Sequence, residues 1–260
     1  MTAQLKSHSQ GQTLVLTISN PEHRNALDPA MYSAGVEALN VAETNPDIRS
    51  VILTGEGVNF CAGGNLNRIL ANRQAPPDQQ AQGIDGLHNW VEALRTFPKP
   101  VIAAVEGAAA GAGFSLVLAC DMVVASTDSL FVMAYSSVGL SPDGGGSWFL
   151  SRALPRALVS QFMMLGDRIP AQKLFDAGMV NQLAPKGEVL SQALALADRL
   201  NQRAPNALAS IKELAQSASS DDLFTHLHTE KQHFLKNLNH ANAGIGIQAF
   251  LDKQTPHYKP

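Results

Sequence analysis

Cysteine is scarce in this chain of 260 residues, which contains two, Cys61 and Cys120. They do not form a CxxC pair and both lie in apolar surroundings, so the sequence excludes a disulfide framework and a zinc ribbon and favours a cytoplasmic protein. No His or Lys adjoins Cys61 to activate its thiol. We therefore expect Cys61 to pack behind a turn and not to act as a nucleophile.

Clusters of basic residues are also absent. The chain has 19 Lys and Arg against 22 Asp and Glu, a formal net charge of −3, and its basic residues are scattered. Without a basic cluster there is no electrostatic footprint for nucleic acid or for an anionic membrane surface. The composition thus predicts neither a nucleic-acid partner nor a membrane partner.

No apolar stretch is long and uninterrupted enough to predict a membrane span. The nearest candidate, residues 100–126, contains Glu106 and Asp121 and is rich in Gly and Ala, which favours a buried strand, a turn and a buried helix. Residues 1–19 lack the apolar core of a signal peptide and are predicted to form a first strand.

Short runs rich in β-branched residues alternate with helical patterns over the first two thirds of the chain. The runs lie at 13–19, 50–55, 100–107, 121–126, 129–134 and 179–184. Most are continuously apolar, as is typical of strands that are covered on both faces. Asp28 and Pro29 have the residue types of an N-cap and of the first helical position. The alternation predicts an α/β sheet.

Beyond about residue 186 the strand patterns stop and helical patterns continue to the end. We predict an α/β core over residues 1–200, which carries the functional site, and a C-terminal helical region over 201–260. The apolar positions of this region exceed what one core can cover, which indicates an oligomer. The polar segment 71–83, which contains prolines, is predicted to be a loop and a mobile flap.

Two glycine-rich turns, at 55–66 and 107–121, each lead from an apolar strand into a helical pattern. Such a turn leaves backbone N–H groups free at a helix N-terminus, where they can bind an oxyanion or a phosphate. Neither turn fits the dinucleotide fingerprint or the P-loop. The same glycines would equally serve close packing of a helix on a strand, and each turn taken alone leaves both interpretations open.

A third turn, GLSPDGGGSWFLSR at 139–152, carries one carboxylate, Asp143, before three glycines. An Asp at this position can cap the helix that follows, or it can act as a general acid and base. Near the C-terminus, His226, Glu230 and His233 have a helical spacing that can bind zinc. The spacing differs from HExxH, so we expect solvated histidines and no metal.

Four motifs together resemble the enoyl-CoA hydratase/isomerase family, which has the crotonase fold. They are NPEHRNALD at 20–28, FCAGGNL at 60–66, KPVIAAVEGAAAGAGFSLVLACD at 99–121 and the turn at 139–152. The resemblance covers essentially the whole chain. It implies a spiral of ββα units followed by C-terminal helices, an acyl-CoA thioester as substrate, a homotrimer or a hexamer of two trimers, and no cofactor apart from the coenzyme A of the substrate.

The family's site residues carry over onto this chain by position. The backbone N–H groups of Ala62 and Ala112 are implied to hold the thioester oxygen while an enolate forms, a task that preorganised donors perform well. The resemblance implies substrate contacts at Arg24, Asn25, Ala26, Gly63, Gly64, Asn65, Leu66, Gly111, Ser115, Tyr135 and Lys253. Among these, Arg24 and Lys253 are implied to meet the phosphates of coenzyme A. Trp148 is expected to belong to the core, and it follows the third turn closely enough to touch an acyl group.

The two glutamates of family hydratases are missing, since Ser115 and Tyr135 occupy their positions. Adding water to a double bond needs a base and an acid, whereas one carboxylate can move a proton between two carbons of an enolate. Asp143 falls where family isomerases and chlorobenzoyl-CoA dehalogenases keep an aspartate. Its turn is most similar to that of the 1,2-epoxyphenylacetyl-CoA isomerase branch.

We therefore predict a cytoplasmic isomerase that shifts a double bond in an unsaturated acyl-CoA, or rearranges a ring-derived one, with Asp143 as proton carrier. We expect this enzyme to act in fatty acid metabolism or in the degradation of aromatic compounds. Three alternatives remain: a hydratase, which is a lyase, assisted by Tyr135; a dehalogenase-type enzyme that forms a covalent aspartyl intermediate; and a non-catalytic acyl-CoA-binding paralogue.

Overall fold

Two β-sheets and surrounding helices make up residues 3–260, the part of the chain that the computed structural model describes. The strands are β1 (Gln4–Gln10), β2 (Thr13–Ser19), β3 (Ser50–Gly55), β4 (Val101–Val105), β5 (Ala108–Ala110), β6 (Met122–Ser126), β7 (Leu130–Val132), β8 (Ile169–Pro170) and β9 (Gln182–Ala184). The helices are α1 (Pro29–Thr44), α2 (Leu66–Asn72), α3 (Pro77–Thr96), α4 (Ala112–Ala119), α5 (Gly146–Ala153), α6 (Arg156–Leu165), α7 (Ala171–Asp176), α8 (Val189–Asn201), α9 (Pro205–Ser217), α10 (Leu223–Leu238) and α11 (Ala241–Leu251).

The larger sheet has six strands in the order β1-β2-β3-β4-β6-β9. Strands β2, β3, β4, β6 and β9 pair in parallel, while β1 and β2 form an antiparallel hairpin. The hairpin turns at Gly11, whose φ of 57° suits glycine. The single first strand predicted for the N-terminus is thus two strands over the described residues, and the α/β class is confirmed.

The smaller sheet has three strands in the order β5-β7-β8. Strand β5 is parallel to β7, and β7 is antiparallel to β8. Strand β5 follows β4 after two residues and ends where α4 begins. This short second sheet therefore positions the start of α4 beside the end of the large sheet.

Both faces of the large sheet are covered, which explains the continuously apolar strands. Helix α8 packs on one face, where Ala193 and Ala197 contact a cluster that includes Val15, Ile52 and Ile102, all buried. The main core, with Trp90 of α3 and Phe114 of α4, covers the other face. Each fully buried side chain of this size contributes roughly 1.5–3 kcal/mol to folding, so this double layer holds the strand ends in place.

The segment 71–83 is largely helical, so the prediction of a loop there is wrong. Helix α2 ends at Asn72 and α3 already begins at Pro77, which leaves a short connection. A proline in the first helical turn sacrifices no hydrogen bond, and its fixed φ suits the helix. The prolines therefore mark the start of a helix and do not indicate a loop.

Helices α9, α10 and α11 follow the core and carry many exposed apolar side chains. Lys212 of α9 holds this region to the core through a hydrogen bond of 2.7 Å from Nζ to Asp121 Oδ2 and another of 3.2 Å to the Leu94 carbonyl. Phe224 and Phe250 are more than four-fifths exposed, at 84% and 81%. None of the helices within residues 3–260 is long and apolar enough to cross a bilayer.

Candidate functional site

The two glycine-rich turns meet where β5 enters α4. Cys61 of the first turn pairs with Ala109 of β5 in a parallel bridge. Gly111, at φ 52° and ψ −125°, then turns the chain into α4, a conformation that other residues rarely adopt. At Gly113 a Cβ atom would lie 2.6 Å from the Cys61 carbonyl oxygen, so the absence of a side chain permits this contact.

A cavity of about 390 Å³ opens between these turns and the third one. It is lined by Ala62, Gly63, Gly64, Leu66, Ile69, Gln80, Ile84, His88, Gly111, Ala112, Ala134, Tyr135, Val138, Leu140, Ser141, Pro142 and Asp143. The three turns that the sequence singled out thus form one site, and eight of the predicted site residues line it.

The backbone N–H groups of Gly64 and Ala112, one on each glycine-rich turn, have no acceptor within residues 3–260. Ala112 is the first residue of α4, so its amide has no partner within the helix. On the facing turn, the Ala62 amide donates to the Arg24 carbonyl at 3.0 Å, and the Gly63 amide donates to Cys61 Sγ at 3.3 Å. Gly64 has the remaining free amide. The structure therefore corrects the prediction for Ala62, whose N–H is already engaged, in favour of Gly64.

Asp143 is the acidic side chain among the residues that line the cavity, and it is held by a neighbouring phenol. The Tyr135 hydroxyl donates to Asp143 Oδ1 at 2.6 Å. Burial raises the pKa of Tyr135 far above its ordinary value, and the Asp143 carboxylate raises it further. Tyr135 is therefore a protonated hydrogen-bond donor around neutral pH, and Asp143 is the better placed base.

Ser115 lies behind the Asp143 turn and forms a hydrogen bond with its backbone. Its side chain is fully buried, and its hydroxyl donates to the Asp143 carbonyl at 3.0 Å. A Cβ atom at Gly144 would lie 3.0 Å from Ser115 Cβ, and one at Gly146 would lie 2.9 Å from Ser115 Oγ. The glycines thus let the Asp143 turn close over Ser115, which separates that position from the cavity.

Asp143 does not cap the helix that follows it. Helix α5 has Gly145 as its N-cap, at φ 78°, and no side chain accepts a hydrogen bond from its first turn. The Asp143 side chain points instead to Tyr135. The capping interpretation left open by the sequence is therefore wrong, and the Asp143 carboxylate has no role at the start of α5.

Three predicted contacts near the first turn have structural roles and do not line the cavity. Asn25 is buried, and its side chain donates to the carbonyls of Glu56 at 2.9 Å and Asn59 at 2.8 Å. The Ala26 carbonyl accepts from the Asn20 side chain at 2.9 Å. The third residue, Asn65, caps α2 by accepting from the amides of its first turn.

The other predicted contacts lie at the surface. Arg24 and Lys253 are exposed and adopt the left-handed region, at φ 52° and 55°. Trp148 stacks between Arg95 and Arg152, whose Cζ atoms lie 4.3 and 3.7 Å from its ring centroid. Trp148 does not line the cavity, so it is not placed to make the expected contact with an acyl group there.

The sequence missed a whole wall of the cavity, which α2 and α3 supply. Ile69 comes from α2, and Gln80, Ile84 and His88 come from α3. A spacing of four residues along α3 places the last three on one face. The apolar periodicity of α3 is clear only from about residue 84 onward, because its first turns contain Pro and Gln, so the sequence gives little signal for Gln80.

Two further groups near the site remain uncharged. Burial raises the pKa of Cys61 to about 12, so the thiol is inert and packs behind the turn as expected. Burial likewise raises the pKa of Tyr32 to about 12, although the nearby Arg68 opposes the shift. Both groups therefore serve as neutral packing beneath the cavity.

The histidines of α10 do not converge as a metal site would require. His226 Nε2 lies 3.6 Å from Glu230 Oε1, whereas His233 Nε2 lies 3.6 Å from Glu213 Oε1 on α9. Within residues 3–260 no three His, Cys, Asp or Glu side chains are grouped as metal ligands.

Comparison with known proteins identifies relatives over the full length of the chain. A sequence profile of the enoyl-CoA hydratase/isomerase family matches residues 8–260. Two proteins of Escherichia coli K12 are each 34% identical: 1,2-epoxyphenylacetyl-CoA isomerase, over 97% of both chains, and 2,3-dehydroadipyl-CoA hydratase, over 96% of both.

Among solved structures, an enoyl-CoA hydratase from Polaromonas sp. JS666 is 64% identical and superimposes with a TM-score of 0.98, covering 98% of this chain and all of that one. These matches confirm the fold that the four sequence motifs predict.

Proposed function

This chain belongs to the enoyl-CoA hydratase/isomerase family, whose members act on acyl-CoA thioesters, and from that premise we propose that it is an acyl-CoA isomerase. The two Escherichia coli relatives, one named an isomerase and one a hydratase, are both 34% identical, and the solved structure at 64% identity is named a hydratase, so the proposal depends on the site itself. The observation that carries it is Asp143, the acidic side chain of the cavity lining, held by Tyr135 near two free amides.

In the proposed reaction the thioester carbonyl oxygen accepts hydrogen bonds from the amides of Gly64 and Ala112. Asp143 removes a proton from C2 of a 3-enoyl thioester, and the electron pair of that C–H bond moves into a dienolate whose charge rests on the oxygen. Preorganised backbone donors stabilise this charge. Asp143 then returns the proton to C4, which leaves a 2-enoyl thioester.

Tyr135 and Ser115 both support this single-carboxylate chemistry. The hydrogen bond from Tyr135 occupies Asp143 Oδ1, so Oδ2 is left to carry the proton. Ser115 lies buried beneath the Asp143 turn and presents no group to the substrate. Hydration needs a second acid–base group to activate water, and neither position supplies one. The proposed reaction requires no cofactor besides the coenzyme A of the substrate.

The proposal predicts that the protein interconverts 3-enoyl and 2-enoyl thioesters faster than it hydrates crotonyl-CoA. The rate of each reaction can be followed by chromatography of the thioesters with time.

We also expect tight binding of thioesters and weak binding of the corresponding free acids in calorimetry. Faster hydration than isomerisation would favour the hydratase alternative, and no turnover of either thioester would favour the non-catalytic one.

Tyr135→Phe should lower the isomerisation rate by about tenfold, because the variant loses one hydrogen bond to a charged group but keeps the base. Binding of a saturated thioester should stay unchanged. Since the raised pKa keeps Tyr135 protonated, ionisation of this phenol should not reduce wild-type activity in mildly alkaline solution. An inactive Tyr135→Phe variant beside an active Asp143→Asn variant would show that the tyrosine carries the proton.

We further propose that the chain forms a homotrimer or a hexamer through its C-terminal helices, and that Arg24 and Lys253 meet the coenzyme A phosphates. The proposal of a homotrimer or hexamer is supported by exposed apolar side chains on the C-terminal helices, such as Phe250. Phe250→Asp should lower the sedimentation coefficient, because it places a charge in the apolar contact. The matched variant Val41→Asp, at an exposed valine of α1, should not. A wild-type chain that sediments as a monomer would contradict the assembly.

A further inference from the structure

One face of α3 presents two polar side chains to the cavity. Gln80, Ile84 and His88 are spaced by four residues and all line it. Around them the lining is mostly apolar, with Leu66 and Ile69 from α2. His88 is exposed, whereas Gln80 is half-buried. A chamber for a plain hydrocarbon chain would be expected to have an apolar residue in place of Gln80, because an unpaired polar group covered by hydrocarbon costs free energy.

Gln80 is oriented by a partner outside the cavity. Its Oε1 accepts a hydrogen bond of 2.7 Å from Asn72 Nδ2, at the end of α2. Within residues 3–260 the Nε2 group of Gln80 has no acceptor, and the side chain is half-buried. The amide therefore offers a fixed N–H donor to whatever occupies the chamber.

The path of α3 determines how far the Gln80 side chain lies from Asp143. A Cβ atom at Gly144, next to Asp143, would lie 3.2 Å from Leu87 Cδ2, so α3 crosses the Asp143 turn at Leu87. Gln80 is seven residues earlier, which is about 10 Å along the axis of an α-helix. The donor thus lies about 10 Å along α3 from the Asp143 turn, away from the carbons that Asp143 can reach.

The charges of the chamber restrict the acceptor that can meet Gln80. The lining contains no Lys or Arg, and Asp143 contributes a carboxylate. A carboxylate on the acyl chain would therefore meet no Lys or Arg of the lining and would share the chamber with Asp143. A neutral oxygen has neither disadvantage.

Building on the proposed action on acyl-CoA thioesters, we propose that this site takes acyl groups with a neutral oxygen substituent, such as a hydroxyl or a keto group, beyond the reacting carbons. Gln80 recognises this oxygen through its Nε2 group and is a specificity-determining residue. Asn72 is a positioning residue that acts through Gln80.

Calorimetry with saturated thioesters tests this inference without turnover, because they contain no double bond to shift. The probes are hexanoyl-, octanoyl- and decanoyl-CoA, each with its ω-hydroxy and ω-carboxy counterpart. We expect the wild-type protein to bind at least one ω-hydroxy thioester roughly three- to tenfold more tightly than its plain counterpart. It should bind the ω-carboxy thioesters more weakly than the ω-hydroxy ones.

Gln80→Leu should abolish or reverse the preference for the hydroxyl while keeping the affinity for plain thioesters, which also shows that the variant is folded. Asn72→Ala should reduce the preference. The matched variant Gln79→Leu, at the exposed neighbour of Gln80, should leave it unchanged. Equal binding of plain and hydroxylated thioesters, tighter binding of the carboxylated ones, or a preference that survives in Gln80→Leu would overturn the inference. A failure of the isomerase assay would not affect these binding results.

Discussion

Asp143→Asn is expected to lower the isomerisation rate by about two to four powers of ten, the usual cost of losing a positioned general base. The amide keeps the size of the carboxylate, and its oxygen can still accept the hydrogen bond from Tyr135. It cannot take up a proton from C2. Affinity for a saturated acyl-CoA should therefore remain near the wild-type value, and the whole effect should fall on the chemical step.

The measurement that isolates this step is the exchange of the C2 protons of a thioester with solvent deuterium, followed by NMR. We expect exchange with the wild-type protein and none above background with Asp143→Asn. Asp167→Asn, at an exposed aspartate outside the cavity lining, should exchange like the wild type. Wild-type exchange in Asp143→Asn would mean that another group removes the proton.

Gly113→Ala is expected to have the second large effect, although residue 113 does not line the cavity. The added Cβ would lie 2.6 Å from the Cys61 carbonyl oxygen and 2.8 Å from Cys61 Sγ, which no real Cβ tolerates. Helix α4 must then move away from the first turn and separate the amides of Gly64 and Ala112. Loss of one such donor typically costs about a hundred- to a thousandfold in rate, so we expect a fall of that order.

Gly244→Ala is the matched control, because Gly244 is also helical but has nothing within 4 Å of an added Cβ. It should keep full activity and gain about 0.5–1 kcal/mol of stability from the better helix former. Thermal unfolding of both variants shows whether a lower rate comes from unfolding of the protein or from a displaced amide donor. A fully active Gly113→Ala variant would indicate that the two turns need not touch, and that the oxyanion site is not built from both.

The hairpin and the supposed loop show where local patterns mislead. Strand β1 is polar and mostly exposed, so it lacks the apolar run that reveals a buried strand, and its pairing with β2 decides its conformation. In segment 71–83 the prolines and glutamines are typical of a loop. They are also compatible with the first turn of a helix, and packing against the rest of the chain selects the helix.

The donor of the first turn shows a different limit. From sequence, Ala62 and Gly64 are two small residues of one motif, and either amide can be supposed to face the substrate. Which one is free depends on the chain segment at Arg24, whose carbonyl accepts from Ala62, and that segment is distant in sequence. Hydrogen bonds between distant segments cannot be derived from the composition of a single turn.

The sequence by itself determined the α/β class, most of the buried strands, the helical C-terminal region, the family and the three turns that form the site. These features rest on local patterns of apolar residues, caps and glycines, which act within a few neighbouring residues. The tertiary structure decided which amides are free, that Tyr135 holds Asp143, that Ser115 is closed off beneath it, and that Gln80 reaches the cavity. Each of these depends on distances between separate elements, which are set by how the helices pack on the sheets.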